Sequence, residues 1–307
     1  MKRDLPKISW QNIAPPYYDY NYFYECERYP FNPYAESFDV VNAWWLAEIA
    51  SLSYADEAFA RPRFARAGFP ELWSFSGDST DCFLIANTQL AILAFRGTES
   101  RLRPGSRDIR NIWMDVKTDL NVLPVDTGRG MKVHQGFQRA LDEVWPELSE
   151  CLKQVHCPSR RLWMTGHSLG AALATLAAER YKKVQGLYTF GSPRVGDKRF
   201  REHFQIAAYR IVYNNDIVTE LPLPGFYFHV GELCFLDRHG KMHHAPKVLD
   251  RYRNGIQAEL RNIRQTLNNL SSGEFYFIPR GIQDHVPLFY TLHLWNALEG
   301  NGSDPLG

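Results

Sequence analysis

The chain has 307 residues, 45% of them hydrophobic and 22% charged, an ordinary globular composition that excludes a disordered or fibrous protein. Thirty-five basic against 34 acidic residues leave a net charge of +1, without the basic excess that a nucleic-acid binder uses against phosphates. The longest apolar runs fall short of the roughly 18 residues that a transmembrane helix needs, so no transmembrane segment is expected.

The chain opens Met1-Lys2-Arg3-Asp4-Leu5-Pro6, with no apolar stretch behind the positive charges, which is unlike a secretory leader. Residues 14–35 are crowded with proline and aromatics, among them Pro15, Tyr17, Tyr22, Phe23, Tyr29 and Phe31. They follow neither helical nor strand periodicity and read as an irregular arm laid across the body of the fold. Residues 40–55 read as a helix, with Val41, Trp44, Trp45, Ile49 and Leu52 on one stripe. Runs at 83–86 and 90–95, split by Asn87-Thr88-Gln89, read as a strand pair. From there helix and strand alternate. A helix is expected at 137–151, a strand at 162–165, an alanine-rich helix at 169–181, and strands at 187–190 and 209–213. That order is the signature of a mostly parallel sheet covered by helices on both faces, an α/β fold. Runs 226–229 and 233–236 resemble a hairpin, 249–270 a long helix, 275–278 a strand and 287–298 a last helix. Length over about 150 suggests two domains, but no linker, repeat or low-complexity tract divides the chain, so one domain over 1–307 is expected.

Cysteines 26, 82, 151, 157 and 234 are odd in number, irregularly spaced and lack a C-x-x-C pair. They read as reduced thiols rather than a disulfide framework or zinc site, with a Cys151–Cys157 bridge as the lesser alternative. A cytoplasmic location is therefore expected, with a trimmed leader or leaderless export as alternatives. Asp237, His239, His243 and His244 raise a metal reading, but their spacing fits no strong motif and a solvated polar turn is favoured. No metal and no organic cofactor is expected.

The most informative stretch is Thr165-Gly166-His167-Ser168-Leu169-Gly170-Ala171. Gly-x-Ser-x-Gly alone arises by chance in roughly one chain in ten of this composition. Here an apolar strand leads in and a small-residue helix leads out, the setting of a nucleophile elbow. Such a turn holds the serine in a strained backbone conformation, and Gly166 and Gly170 remove the bulk that would forbid it. The helix start behind Ser168 aims N–H groups, that of Leu169 first, at a developing oxyanion. His167 is too close in sequence to serve as base to its neighbour and is expected to pack beneath the elbow.

With four further motifs in order, the sequence resembles the class 3, fungal-type triacylglycerol lipases of the α/β-hydrolase fold. The motifs are Phe95-Arg96-Gly97-Thr98, Val133-His134-Gln135-Gly136-Phe137, Phe190-Gly191-Ser192-Pro193-Arg194-Val195-Gly196-Asp197 and Asn215-Asp216-Ile217-Val218. The likeness covers about residues 40 to 298 and leaves the arm and the 249–270 helix unexplained. It implies a serine carboxylic ester hydrolase acting on lipid esters, a triacylglycerol lipase first, through a Ser-His-Asp triad and an acyl-enzyme. Phospholipase A1 or a general carboxylesterase is the alternative, and an inactive hydrolase-fold scaffold a remote one.

Fold order places the acid and then the histidine after the serine. Asp216 follows the 209–213 strand, where parallel sheets gather their chemistry, and the resemblance puts the catalytic aspartate there. Six histidines follow it. His285, just before the last helix, matches the family's late histidine, while His229 and His293 stay as competitors. Asp284 is set aside because side chains adjacent in sequence diverge. The resemblance also makes Thr98 an oxyanion donor beside Leu169, and it places a mobile lid over 99–120. There Ile109, Ile112 and Trp113 share a helical stripe that would cover Ser168 in water and turn toward a lipid surface. An ordinary core helix is the alternative. The expected partners are a lipid or small ester substrate and a peripheral lipid interface.

Overall fold

A computed structural model describes residues 1–7, 9, 13–97, 123–222, 224–244, 278 and 280–301. Thr98, the expected lid at 99–120, the expected helix at 249–270 and all of the expected 275–278 strand but Ile278 lie outside the described residues.

Among the described residues the centre is an eight-stranded sheet in the order β1-β2-β3-β6-β7-β8-β9-β10. Its strands are β1 (Glu71–Ser76), β2 (Asp81–Ala86), β3 (Leu90–Phe95), β6 (Arg161–His167), β7 (Gly186–Phe190), β8 (Ala208–Tyr213), β9 (Glu232–Leu236) and β10 (Met242–His244). The run from β3 through β6, β7 and β8 to β9 is parallel, and antiparallel strands close both edges. The central strands are buried at almost every position, which explains their continuous apolar runs: a parallel sheet covered on both faces has no solvent side to alternate toward. β4 (Pro124–Asp126) and β5 (Lys132–His134) form a separate antiparallel pair.

The two faces differ in chemistry. One is covered by α1 (Val40–Leu52), α7 (Pro287–Asn301) and the aromatic arm. α1 starts where Asp39 accepts hydrogen bonds from the amides of Val41 and Asn42. It is buried nearly all round, as a helix between sheet and arm must be. The arm holds only a short 3-10 turn, Cys26–Arg28, and indole N–H groups tie it down. Trp45 donates to the Tyr29 carbonyl at 2.7 Å and Trp163 to the Pro33 carbonyl at 3.2 Å. The opposite face is aliphatic and carries α3 (Gln135–Val155) and α4 (Leu169–Tyr181). α3 is capped by His134, whose Nδ1 accepts from the Phe137 amide while its ring stacks on Phe137. That bond gives the Val133–Phe137 motif a structural role.

α3 runs longer than the expected 137–151. Helix α2 (Glu57–Arg66) and strand β1 were not expected, because their mixed polar sequences carry little periodicity. α5 (Lys198–His203) and α6 (Arg280–Gln283) are single short turns of helix. The expected hairpin of 226–229 with 233–236 is corrected. Residues 226–229 make isolated bridges and turns, and β9 pairs instead with β10 through the Asp237–Lys241 turn. Two apolar runs close in sequence suggested a hairpin, but β9 is claimed on its other side by parallel pairing with β8. No described helix is long and apolar enough to cross a membrane.

Candidate active site

β6 delivers Ser168 into a turn with φ 59° and ψ −129° at the start of α4. A non-glycine residue with positive φ is uncommon and stores strain of about 1–3 kcal/mol. Close packing of backbone holds it there. A Cβ on Gly166 would strike the Gly170 carbonyl and the Ala171 nitrogen, and one on Gly170 would strike the Phe95 carbonyl of β3. The Ser168 amide donates to the Phe190 carbonyl at 3.0 Å, tying the elbow to β7. The serine side chain makes no capping bond to the helix it precedes. Leu169 occupies the first helical position, where an amide has no partner within the helix.

β8 delivers the second group. The loop after Tyr213 folds Asp216 back so that its Oδ1 accepts from the Val218 amide at 2.9 Å and its carbonyl accepts from the Thr219 hydroxyl at 2.8 Å. His285 follows α6 and precedes α7. Its Nδ1 lies 2.9 and 2.8 Å from Oδ1 and Oδ2 of Asp216, with both side chains buried. Oδ2 also accepts from the Tyr290 hydroxyl at 2.5 Å, and that hydroxyl in turn accepts from the Tyr213 amide at 3.2 Å. The carboxylate is thus surrounded by donors, which compensates its removal from water. The structure therefore brings His285 to Asp216, from positions 69 residues apart.

The competing histidines lie elsewhere. His229 donates from Nε2 to the Thr219 carbonyl. His293 stacks on Tyr213 within α7, and burial pushes its pKa down to about 4. Asp284 points away from its neighbour's pair, accepting from the Asn214 side chain at 2.9 Å and the Asn215 amide at 3.2 Å. Burial, with the Asp216 charge adding to it, pushes the Asp284 carboxyl up to about 7.

His167 lies beneath the elbow with its ring 4.4 Å from that of His285. Its Nε2 is 2.7 Å from the His285 carbonyl and its Nδ1 2.8 Å from the Tyr54 hydroxyl. A carbonyl only accepts, so Nε2 carries the proton and Nδ1 accepts from Tyr54. Burial, followed by the neighbouring His285, lowers the His167 pKa well below the usual value and keeps the ring neutral. Through it the β6 turn is stitched to the loop that carries His285.

Three positioning residues escaped the sequence reading. Gly191 lies directly after β7 at φ +57°, and a Cβ there would come 2.6 Å from Asp216 Oδ2 and 2.9 Å from His285 Nδ1. Its place after a buried strand, in Phe190-Gly191-Ser192-Pro193, was the available signal. Tyr54 presses on Gly97, where a side chain would strike the phenol and approach the His167 carbonyl. The loop after β3 therefore leaves the sheet against the elbow, but Thr98 itself is outside the described residues, as are Ile109, Ile112 and Trp113. Tyr290 is one aromatic among many on α7, and nothing in its spacing marked it.

Residues 92–226 match the family described as Lipase (class 3). The chain is 41% identical over 144 residues to a lipase of Rhizomucor miehei, covering 42% of this chain and 39% of the relative. It is 32% identical over 169 residues to the secreted mono- and diacylglycerol lipase 1 of Fusarium solani, covering 50% of each. It thus spans half or less of the length of these curated relatives. The mono- and diacylglycerol lipase of Aspergillus oryzae superposes with a TM-score of 0.51 at 26% identity, over 65% of this chain and 80% of that one. The expected cytoplasmic location is corrected by the relatives, of which the Fusarium enzyme is a secreted protein. The inference failed because free cysteines do not report a compartment in a chain of this size. Its five thiols are unbridged, and a core this large needs no disulfide to be stable. The α/β-hydrolase sheet, the elbow and the match agree: over residues 92–226, which hold β3 and the elbow, the chain is similar to the class 3 lipases.

Proposed function

We propose that this chain is a serine carboxylic ester hydrolase for lipid esters, acylglycerols first, carried by a single hydrolase domain. Ser168 is the nucleophile, His285 the general base and Asp216 the group that orients it. The observation that carries the reading is the buried pair of His285 Nδ1 with both oxygens of Asp216, at 2.9 and 2.8 Å. With Nδ1–H donating to the carboxylate, the neutral imidazole keeps its lone pair on Nε2, the form required to take a proton from a serine hydroxyl.

In the first half-reaction Ser168 Oγ attacks the ester carbonyl carbon as its proton passes to His285 Nε2. The carbonyl oxygen becomes an oxyanion facing the Leu169 amide, with Thr98 as the second donor in this reading. Collapse breaks the ester C–O bond, and the alcohol leaves with the proton held by His285. Water then attacks the acyl-enzyme, returns its proton through His285 and releases the acid. Asp216 stabilises the imidazolium in both halves, and the donors around it hold the ring in place.

The test is hydrolysis of p-nitrophenyl esters from acetate to palmitate beside emulsified acylglycerol and phospholipid, with mass-spectrometric mapping of a phosphonate label. Turnover of long-chain esters and acylglycerol, with the label on Ser168, is expected. Phospholipid turned over faster than acylglycerol would establish the phospholipase reading instead. A folded protein that hydrolyses none of these would overturn the proposal.

A further inference from the structure

The last strand pair of the sheet, among the described residues, carries a second constellation of reactive side chains, remote in strand order from the elbow. Cys234 on β9 and His244 on β10 are direct cross-strand partners, and Glu232 lies two residues before Cys234 on the same face of its strand. Their ligand atoms converge. Cys234 Sγ is 3.8 Å from His244 Nδ1, His244 Nδ1 is 3.6 Å from Glu232 Oε1, and all three atoms lie within 4.8 Å of one another.

At 3.6 Å the imidazole and carboxylate are too far apart for a hydrogen bond. The spacing suits three ligands around a common centre. Bonds of about 2.3 Å to sulfur and about 2.0–2.2 Å to nitrogen and oxygen give tetrahedral edges of roughly 3.3–3.6 Å. The two measured edges therefore need to close by only a few tenths of an ångström.

We propose that Glu232, Cys234 and His244 form a binding site for one thiophilic divalent cation, Zn2+ in kind, with water as the fourth ligand. A thiolate and a carboxylate balance the two positive charges, and the imidazole binds neutral through Nδ1. As the Sγ–metal bond forms, the thiol proton leaves to solvent. A thiolate is a soft ligand that hard, oxygen-seeking cations such as Ca2+ and Mg2+ bind poorly, so the donor set favours the thiophilic ion. The site has a buried floor and an open mouth: Cys234 is fully buried, whereas the side chains of His244 and Glu232 are about half exposed. The Phe38 ring stands edge-on to His244 with centroids 4.8 Å apart and limits its rotation. A bound ion pins the three-residue strand β10 to β9 at the terminal position of the sheet, where an unpinned strand frays or pairs with another chain.

Sequence spacing grouped the wrong residues. His243 points to the other face and meets Asp237 at 3.0 Å, while Glu232 and Cys234 come from the preceding strand. The proposal is independent of ester hydrolysis. Its test is titration of the reduced, metal-free chain with Co2+, followed by absorption. One equivalent should produce an intense near-ultraviolet thiolate-to-cobalt band with the visible bands of a tetrahedral ion, and Zn2+ should abolish both. Cys234→Ser should lose the thiolate band, whereas Cys157→Ser, at an exposed cysteine, should keep it. His244→Gln, at a half-exposed edge where folding is not at stake, should weaken binding more than about a hundredfold, since even groups that only support a ligand are worth 10–100-fold. Zn2+ should also raise the Tm of the parent chain and leave that of Cys234→Ser unchanged. Absence of a thiolate band in the parent chain at excess Co2+, or its persistence in Cys234→Ser, overturns the site.

Discussion

Ser168 and the Asp216–His285 pair lie at the same end of the sheet but are held by different means. Around Ser168 backbone packs on backbone: Gly166 against Gly170, and Gly170 against the β3 carbonyl of Phe95. The serine's conformation is set by backbone sterics, within the 166–170 turn and where that turn abuts β3. Asp216 and His285 are held by side chains from elements distant in the chain, with Tyr290 of α7 on the Asp216 carboxylate and His167, backed by Tyr54, on the His285 carbonyl. The comparison teaches that a strained turn can be built mainly from packed backbone. A buried carboxylate–imidazole pair needs a surrounding shell, because every lone pair it takes from water has to be met.

Four substitutions test that contrast, from the largest effect to the smallest. Ser168→Ala should keep the fold and Tm and lower kcat about 10^4-fold or more, as loss of a triad nucleophile does; measurable residual hydrolysis of phosphonate-treated parent protein should match it. Gly191→Ala inserts a methyl group where Asp216 Oδ2 and His285 Nδ1 already lie. Moving the pair by about an ångström should lower kcat about 10^2-fold, with circular dichroism unchanged. If Gly191→Ala keeps parental kcat, the pair is less tightly seated than the contacts state.

Asp284→Asn keeps an acceptor for Asn214 and Asn215 but removes a buried charge. Because the folded carboxyl is raised to about 7 from an ordinary 3.8, the folded chain holds a proton that the unfolded chain releases. Stability contributed by this group is therefore full below about pH 4 and lost as pH rises toward 7. Denaturation at pH 8 should find Asp284→Asn more stable than the parent by on the order of 2 kcal/mol, with the difference gone near pH 4. Equal stability at both pH values would remove Asp284 from the shell. Tyr290→Phe deletes one donor to Asp216 and leaves the imidazole. Loss of a hydrogen bond to a charged group, about 1.5 kcal/mol, should lower kcat about tenfold with KM unchanged. A rise in KM alone would assign Tyr290 to substrate binding rather than to the carboxylate.

Where signals were local, the chain could be read directly. The alternation of apolar runs and alanine-rich helix predicted a mostly parallel α/β sheet, and α4 begins and ends at the residues expected, Leu169 and Tyr181. Gly166, Ser168 and Gly170 declared a tight strand-to-helix turn because only small flanking residues permit that backbone. Asp216 was legible from its place after a buried strand. The choice of His285 over His229 and His293 rested on likeness to a family, since several histidines follow Asp216 and spacing does not rank them. β9 was found but given the wrong partner, because hydrophobic runs say that a strand is buried and not which neighbour buries it.

By itself, then, the sequence determined the elements whose geometry depends on neighbours in the chain: the central strands, the elbow, and the aromatic character of one face of the sheet. Only the tertiary structure decided which groups surround Asp216 and His285. Tyr290 and Gly191 meet the Asp216–His285 pair directly, while Tyr54 acts through His167 and Asp284 through Asn214 and Asn215, and no periodicity relates them. The same is true of the Glu232, Cys234 and His244 cluster, which exists because β10 turns back on β9 in one register. A one-residue slip would send His244 to the other face. Local sterics act over a few bonds and so are written in adjacent residues, whereas the satisfaction of buried polar groups is decided by whatever the completed sheet brings within three ångströms or so.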